Sequence, residues 1–341
     1  MTPELSPEVS AAVQHLIDVL APQHDRRLAE ELISSAAGLI ADHPATLDLK
    51  IAASAVYEMR DAYGMFAPYR GRPKVTIFGS ARTAQDDPLY LQARRVAGQL
   101  ASHGWMVVTG AGPGIMQAAM EGAGREMSIG VSIRLPFEQS ANPIIAGDSK
   151  YVSMKYFFTR KLMLIKESRA FVCLPGGFGT LDEMFELLTL TQTGKGVPVP
   201  IVFLDTPGDP YWEGVAELID TMLVARGLVA PADTSLYLIT ESCETAAHEI
   251  NRFYANYDSM RYVGDLLVLR MKQSPTDEQL DGLNAAFGYL CTKGSITRTP
   301  PLAIEVKEAD AVDLPRVAFV FAKHGFGDLR RMIDMLNTFV G

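Results

Sequence analysis

Ala170-Phe171-Val172-Cys173-Leu174-Pro175-Gly176-Gly177-Phe178-Gly179-Thr180-Leu181-Asp182-Glu183 is the stretch that decides the fold. Residues 170–174 form a short, continuously apolar run, the pattern of a strand buried on both faces. Pro175 ends it, and three glycines within the next four residues turn the chain. Helical spacing of apolar residues then predicts a helix over 181–193. Strand, glycine turn and helix together make one unit of a parallel α/β sheet.

The same alternation extends to both sides. Apolar runs at 75–78, 105–109, 129–135, 151–154, 199–204 and 236–239 read as strands. Helical patterns at 89–102, 115–126, 156–167, 213–226 and 245–254 separate most of them. The expected fold is α/β: a Rossmann-like parallel sheet with helices on both faces. Its ligand belongs outside the carboxyl ends of the strands. Residues 1–70 read as an N-terminal helical region packed on this domain, with Ser6 as N-cap and Pro7 at the first helical position. The nucleotide-binding domain is expected over 71–256. Residues 257–341 read as a small α+β appendage in the order βαββα, with strands at 266–271, 303–306 and 317–321 and helices at 277–290 and 329–339.

Composition narrows the function classes. The 341 residues are 48% hydrophobic and carry 31 Lys+Arg against 40 Asp+Glu, a net charge of −9. That balance argues against nucleic acid or an anionic membrane as partner. The three cysteines, Cys173, Cys243 and Cys291, have no paired spacing, so neither a disulfide framework nor a thiol metal site is expected. No apolar run approaches the ~18 residues of a membrane span, and MTPELSPEVS lacks the basic and apolar segments of a signal peptide. The expectation is a cytoplasmic protein. Six histidines (His15, His24, His43, His103, His248, His324) show no ligand spacing, so no metal is expected.

Two further strands run into glycine loops: Phe78-Gly79-Ser80-Ala81-Arg82 and Thr109-Gly110-Ala111-Gly112-Pro113-Gly114-Ile115-Met116. Three such loops in one domain point to a nucleotide-sized ligand. A nicotinamide dinucleotide fits poorly: the G-x-G-x-x-G pattern starting at Gly110 meets Ile115, and the strand Gly130-Val131-Ser132-Ile133-Arg134 lacks the ribose-binding acid. Arg134 would suit a phosphorylated ribose. No Walker lysine motif occurs, which disfavours an ATPase.

In the deciding stretch, Gly176, Gly177 and Gly179 let backbone approach a ligand. Thr180, expected at the helix start, can hold a phosphate together with the free amides there. Asp182 and Glu183 then fall in the first turn, where acids often serve only the helix dipole. That reading is weaker for Glu183, because an anion beside a phosphate site is costly without another purpose. A carboxylate near a ribose phosphate can stabilise an oxocarbenium-like centre at C1′ or orient water towards it. Arg160 and Lys161 supply adjacent cations on the preceding helix.

Pro175-Gly176-Gly177-Phe178-Gly179-Thr180-Leu181-Asp182-Glu183, with Arg160-Lys161 upstream, resembles the Lonely Guy family of nucleotide 5′-monophosphate phosphoribohydrolases, formerly labelled possible lysine decarboxylases. The Gly79-Ser80 turn and the loop 110–116 also match, and the resemblance spans 74–254. It implies hydrolysis of the N-glycosidic bond of nucleoside 5′-monophosphates, in some members activating cytokinins. By the resemblance Arg160 and Glu183 are the catalytic pair. Gly176, Gly177, Gly179 and Thr180 bind the 5′-phosphate; Lys161, Gly79, Ser80, Gly112, Gly114 and Met116 line the substrate. No cofactor is needed, and a homodimer or larger oligomer with the site near the interface is implied.

The chain departs from the short plant pattern. Phe157-Phe158-Thr159 precedes Arg160 in place of Met-His-Glu, Ala111 replaces a glycine, and both termini are extended. With Leu135-Pro136-Phe137-Glu138-Gln139, these features resemble a longer bacterial subgroup and a general nucleotide nucleosidase. Tyr156, Phe157 and Phe158 would either stack a base, shape a prenyl pocket or pack in the core; Cys173 reads as inert core. The competing class is a nucleotide or molybdenum-cofactor carrier without turnover, against which the Arg160 and Glu183 pair stands. No pyridoxal-lysine signature supports a decarboxylase.

Overall fold

In the computed structural model, residues 5–22, 25–135 and 141–340 are described; His24 and the segment Pro136-Phe137-Glu138-Gln139 lie outside the described residues. Ser6 accepts a hydrogen bond from the Val9 amide at 3.3 Å, and Pro7 opens α1 (Pro7–Leu20). Then come α2 (Arg26–Ala41) and α3 (Thr46–Phe66). The chain divides into two compact units, residues 1–61 and 62–341.

The larger unit runs β1 (Lys74–Phe78), α4 (Pro88–Ser102), β2 (Met106–Thr109), α5 (Ile115–Ala123), β3 (Ser128–Ile133) and β4 (Tyr151–Met154). It continues through α6 (Phe157–Lys166), β5 (Ala170–Cys173), α7 (Phe178–Gln192), β6 (Ile201–Leu204), α8 (Tyr211–Leu218), β7 (Leu238–Thr240) and α9 (Cys243–Phe253). The strands form one seven-stranded sheet in the order β4-β3-β2-β1-β5-β6-β7, parallel throughout. Every residue of β1, β2, β5 and β6 is buried, as two covered faces require. Val75, Ile77, Val107, Val172 and Leu174 pack at 0% exposure against Val96, Leu100 and Ile250 of the flanking helices. Each such side chain contributes roughly 1.5–3 kcal/mol by leaving water.

Strand order reverses between β1 and β5. The chain builds outward through β2, β3 and β4, then returns to lay β5 on the other side of β1. Carboxyl-end loops diverge at such a point and leave a crevice. The three glycine loops follow β1, β2 and β5, so this topology gathers them there.

Several boundaries differ from expectation. Helix α7 starts at Phe178, three residues before 181, because extended Gly177 serves as its N-cap. The stretch 213–226 splits into α8 and a π-helical stretch at Ile219–Val224. After α9 come β8 (Tyr257–Val263), β9 (Leu266–Met271), α10 (Asp277–Phe287), β10 (Cys291–Arg298), α11 (Ala303–Glu308), β11 (Arg316–Phe321) and α12 (Phe326–Asn337). Four of these strands make an antiparallel sheet, β10-β11-β9-β8. Residues 303–306, expected as a strand, belong to helix α11. Glu305 explains this: its carboxylate accepts from the Leu302 amide at 2.9 Å, capping the helix, and also holds buried Arg270 at 2.6 Å and Arg316 at 2.7 Å. The expected βαββα order is therefore replaced by ββαβαβα. Among the described residues, no helix is long and apolar enough to cross a membrane.

Candidate active site

Backbone hydrogen bonds tie the three loops together. The Ser80 amide donates to the Pro175 carbonyl at 3.3 Å, and the Ser80 carbonyl accepts from the Ile115 amide at 3.0 Å. One residue of the β1 loop thus bridges the β5 loop and the start of α5. Gly79 and Gly114 make that approach possible. A Cβ on Gly79 would meet the Ile115 side chain at 2.6 Å; one on Gly114, which has φ +63°, would collide with the Ser80 carbonyl. A side chain on Gly112 would meet the Met116 methyl at 2.7 Å. Gly79, Ser80, Gly112, Gly114 and Met116 are thereby brought together.

The β5 loop leads into α7. Amides in the first turn of a helix have no partner within it and present a favourable end to an anion. Here these are the amides of Phe178, Gly179 and Thr180. Gly177 and Gly179 are exposed, and a Cβ on either would meet only open space. Gly176 is different: a Cβ there would collide with the Thr180 hydroxyl and stand 3.1 Å from the Ser80 amide nitrogen. Its carbonyl accepts from the Tyr211 hydroxyl at 2.7 Å. Tyr211 opens α8, whose Trp212 amide donates to buried Asp205 at 3.0 Å; burial raises that carboxyl to about 6. Nothing in the sequence indicates the Tyr211 clasp, since its partner lies 35 residues away.

Helical spacing buries Thr180, Glu183, Met184, Leu187 and Thr191 on one face of α7, and Thr159, Arg160, Met163 and Leu164 on one face of α6. The two inner faces bring Arg160 Nη1 within 3.4 Å of Glu183 Oε1. Arg160 is 8% exposed and Glu183 9%. Arg160 Nε also donates to the Val131 carbonyl of β3 at 3.1 Å, which fixes the guanidinium plane. Burial pushes the Glu183 carboxyl up to about 7, against the pull of Arg160 and Lys161. Burial likewise lowers Arg160, against Glu183. Because α7 begins early, Glu183 lies in its second turn rather than its first, about one turn after the open amides.

Lys161 points elsewhere. Its ammonium bridges Asp182 and Glu186 of α7, each at 2.7 Å, so it clamps α6 to α7. Asp182 is thus an ion-pair partner, with its carboxylate 60% exposed. Phe157 and Phe158 are 56% and 54% exposed, which overturns the core-packing alternative for both; Phe178, at the start of α7, is 94% exposed. Cys173 is fully buried and its thiol is pushed well above the ordinary range by burial, consistent with inert core. Among the described residues, no group of three or more His, Cys, Asp or Glu side chains is placed to hold a metal ion.

Comparison with known proteins covers part of this α/β unit. Residues 114–250 match the family model described as possible lysine decarboxylase. A probable cytokinin riboside 5′-monophosphate phosphoribohydrolase of Arabidopsis thaliana, LOG6, is 33% identical over 118 residues, 35% of this chain and 55% of that one. Arabidopsis LOG1, a cytokinin riboside 5′-monophosphate phosphoribohydrolase, is 26% identical over 165 residues, 48% of this chain and 74% of its own length. The chain therefore spans about half of the first relative and three quarters of the second. Among solved structures, a molybdenum cofactor carrier protein from Chlamydomonas reinhardtii matches at 21% identity and a TM-score of 0.38, covering 53% of this chain and 97% of that one. With the glycine-loop motif and these matches in place, the α/β part of the chain is similar to the Lonely Guy family.

Proposed function

We propose that this protein hydrolyses the N-glycosidic bond of nucleoside 5′-monophosphates, giving free base and ribose 5-phosphate. The observation that carries the reading is the buried Arg160–Glu183 pair, whose carboxylate stands on α7 about one turn after its open amides. In this reading a 5′-phosphate sits on the amides of Phe178, Gly179 and Thr180 and the ribose reaches towards that pair. A carboxylate tuned to about 7 suits proton exchange with water near neutrality.

In this reading the glycosidic C–N bond breaks with its electron pair going to the base, and C1′ takes on positive charge. Ionised Glu183 stabilises that charge and orients a water molecule. The water oxygen bonds to C1′, and its proton passes to the departing base, so nucleotide plus water balances base plus ribose 5-phosphate. Arg160 orients Glu183 and binds ribose or phosphate oxygens. Gly79, Ser80, Gly112, Gly114 and Met116 line the nucleoside side. Lys161 acts on substrate only indirectly, through α7.

Prenylated adenosine monophosphates of the cytokinin class belong among the substrates to be tried, because the relatives' names carry them. Phe157, Phe158 and Phe178, exposed beside the site, support a homodimer closing over it. The test is direct. Purified protein is incubated with AMP, GMP, IMP, CMP, UMP and a prenylated AMP, and base and ribose 5-phosphate are followed by chromatography. Stoichiometric release of both supports the reading. Nucleotide binding without release from any of them overturns it in favour of a carrier or sensor.

A further inference from the structure

Asn142 lies between β3 and β4, outside every glycine loop, yet it is 5% exposed and spends each polar group of its side chain. The side-chain amide donates to the Gly112 carbonyl at 3.1 Å and to Met120 Sδ at 3.3 Å. Its side-chain oxygen accepts from the Ile144 amide at 3.2 Å. The Asn142 backbone amide donates to the Ala111 carbonyl at 2.8 Å. One residue therefore holds two successive carbonyls of the β2 loop.

That loop needs holding. Ala111 has φ +58°, the left-handed region that residues with a Cβ avoid. Its own amide is taken by the Thr109 hydroxyl at 3.0 Å. Just before it, Gly110 lies against Arg160 so closely that a Cβ there would collide with the guanidinium. A shift of this loop moves a wall that confines the Arg160 guanidinium.

We propose that Asn142 is a positioning residue: it locks residues 110–112 around left-handed Ala111 and so fixes Arg160 against Glu183. The role in catalysis rests on the hydrolytic reading above; the locking of the loop does not. The phosphate end of the site, on α7, is built without Asn142 and keeps most of the affinity, so the effect falls more heavily on turnover than on substrate binding.

Asn142→Asp separates this role from a merely structural one. It keeps the oxygen that accepts from the Ile144 amide, and with it the local turn, but loses the donor to Gly112. Asn142→Ala loses both. Three readouts are taken on wild type and both variants: kcat, KM for the best monophosphate, and hydrogen exchange of residues 110–116. Both variants are expected to lower kcat by about tenfold or more, since small misplacements at a reacting centre are that costly. KM should stay within about threefold, a change equivalent to less than one hydrogen bond, and exchange of 110–116 should accelerate. Asn142→Asp with wild-type kcat, a loss confined to KM, or unchanged exchange in both variants would overturn the proposal. If wild type itself releases no base, the hydrolytic reading fails, and the exchange measurement still decides whether Asn142 locks the loop.

Discussion

Arg160 Nη1 and Glu183 Oε1 stand 3.4 Å apart, joining helices whose contributing residues are 23 positions apart in sequence. Charge-assisted pairs usually close to about 2.7–2.9 Å. This pair is looser, although both groups are buried and each carries a desolvation cost. Arg160 is anchored from the other side by its bond to the Val131 carbonyl. In the proposed reaction, hydrogen-bonding capacity left on both side chains would serve substrate.

Activity should rise with pH through about 7. Burial raises Glu183 to about 7, and the reaction uses its ionised form, so the rate is low under acidic conditions and reaches a plateau above neutrality. A kcat profile from pH 5 to 9 checks this; a rate that falls as pH rises through 7 would mean that Glu183 acts as an acid.

The same shift has a consequence for stability. Between the ordinary glutamate value of 4.5 and about 7, the folded state binds more protons at this site than the unfolded state does, so wild type loses stability as pH rises through that window. Gln cannot titrate. The melting temperature of Glu183→Gln relative to wild type should climb between pH 4.5 and 7 and then level off, as read by scanning calorimetry.

Two adjacent cations should behave very differently. Arg160→Lys loses the bond to Val131 and the planar fork facing Glu183, and is expected to lower kcat by about a hundredfold or more. Lys161→Ala breaks bridges to partly exposed Asp182 and Glu186. Such pairs contribute about 1 kcal/mol or less, so turnover should stay within about threefold. Kinetics and thermal melts on both variants make the comparison.

Glycines in the β5 loop divide in the same way. Gly176→Ala collides with Thr180 and should destabilise the protein and weaken substrate binding together. Gly179→Ala meets no protein atom and gains helix propensity of about 1 kcal/mol, so the fold should hold or strengthen. Its methyl group nevertheless enters the proposed phosphate site, and KM should rise about tenfold. Calorimetry paired with KM values reads both effects.

The central strands were legible because they are buried on both faces and read as apolar runs; the half-buried edge strand β4 also falls at 151–154 as predicted. Edge strands β8 and β10 escaped notice because polar residues interrupt them: Asp258, Ser259 and Arg261 in one, Thr292, Lys293 and Ser295 in the other. A Gly264-Asp265 turn, with φ +60° at Gly264 and Val263 paired to Leu266, was the available signal for the first hairpin. At 303–306, β-branched residues masked a helix whose cap and ion pairs come from Glu305, which no local pattern reveals. The motif named Arg160 and Glu183, but their separation depends on packing between α6 and α7. Tyr211 and Asn142 act on loops through contacts distant in sequence, where periodicity carries no information.

The central claim is that Glu183 performs chemistry at a site that binds the nucleotide by other groups. Single-turnover base release and equilibrium binding should be measured side by side for wild type and Glu183→Gln, using the monophosphate that wild type cleaves fastest. The account predicts a loss in rate of about a thousandfold or more, with the dissociation constant changed by less than about tenfold (1.4 kcal/mol). Base release by Glu183→Gln at a rate close to wild type, with binding intact, would contradict it and leave the Arg160–Glu183 pair as architecture only.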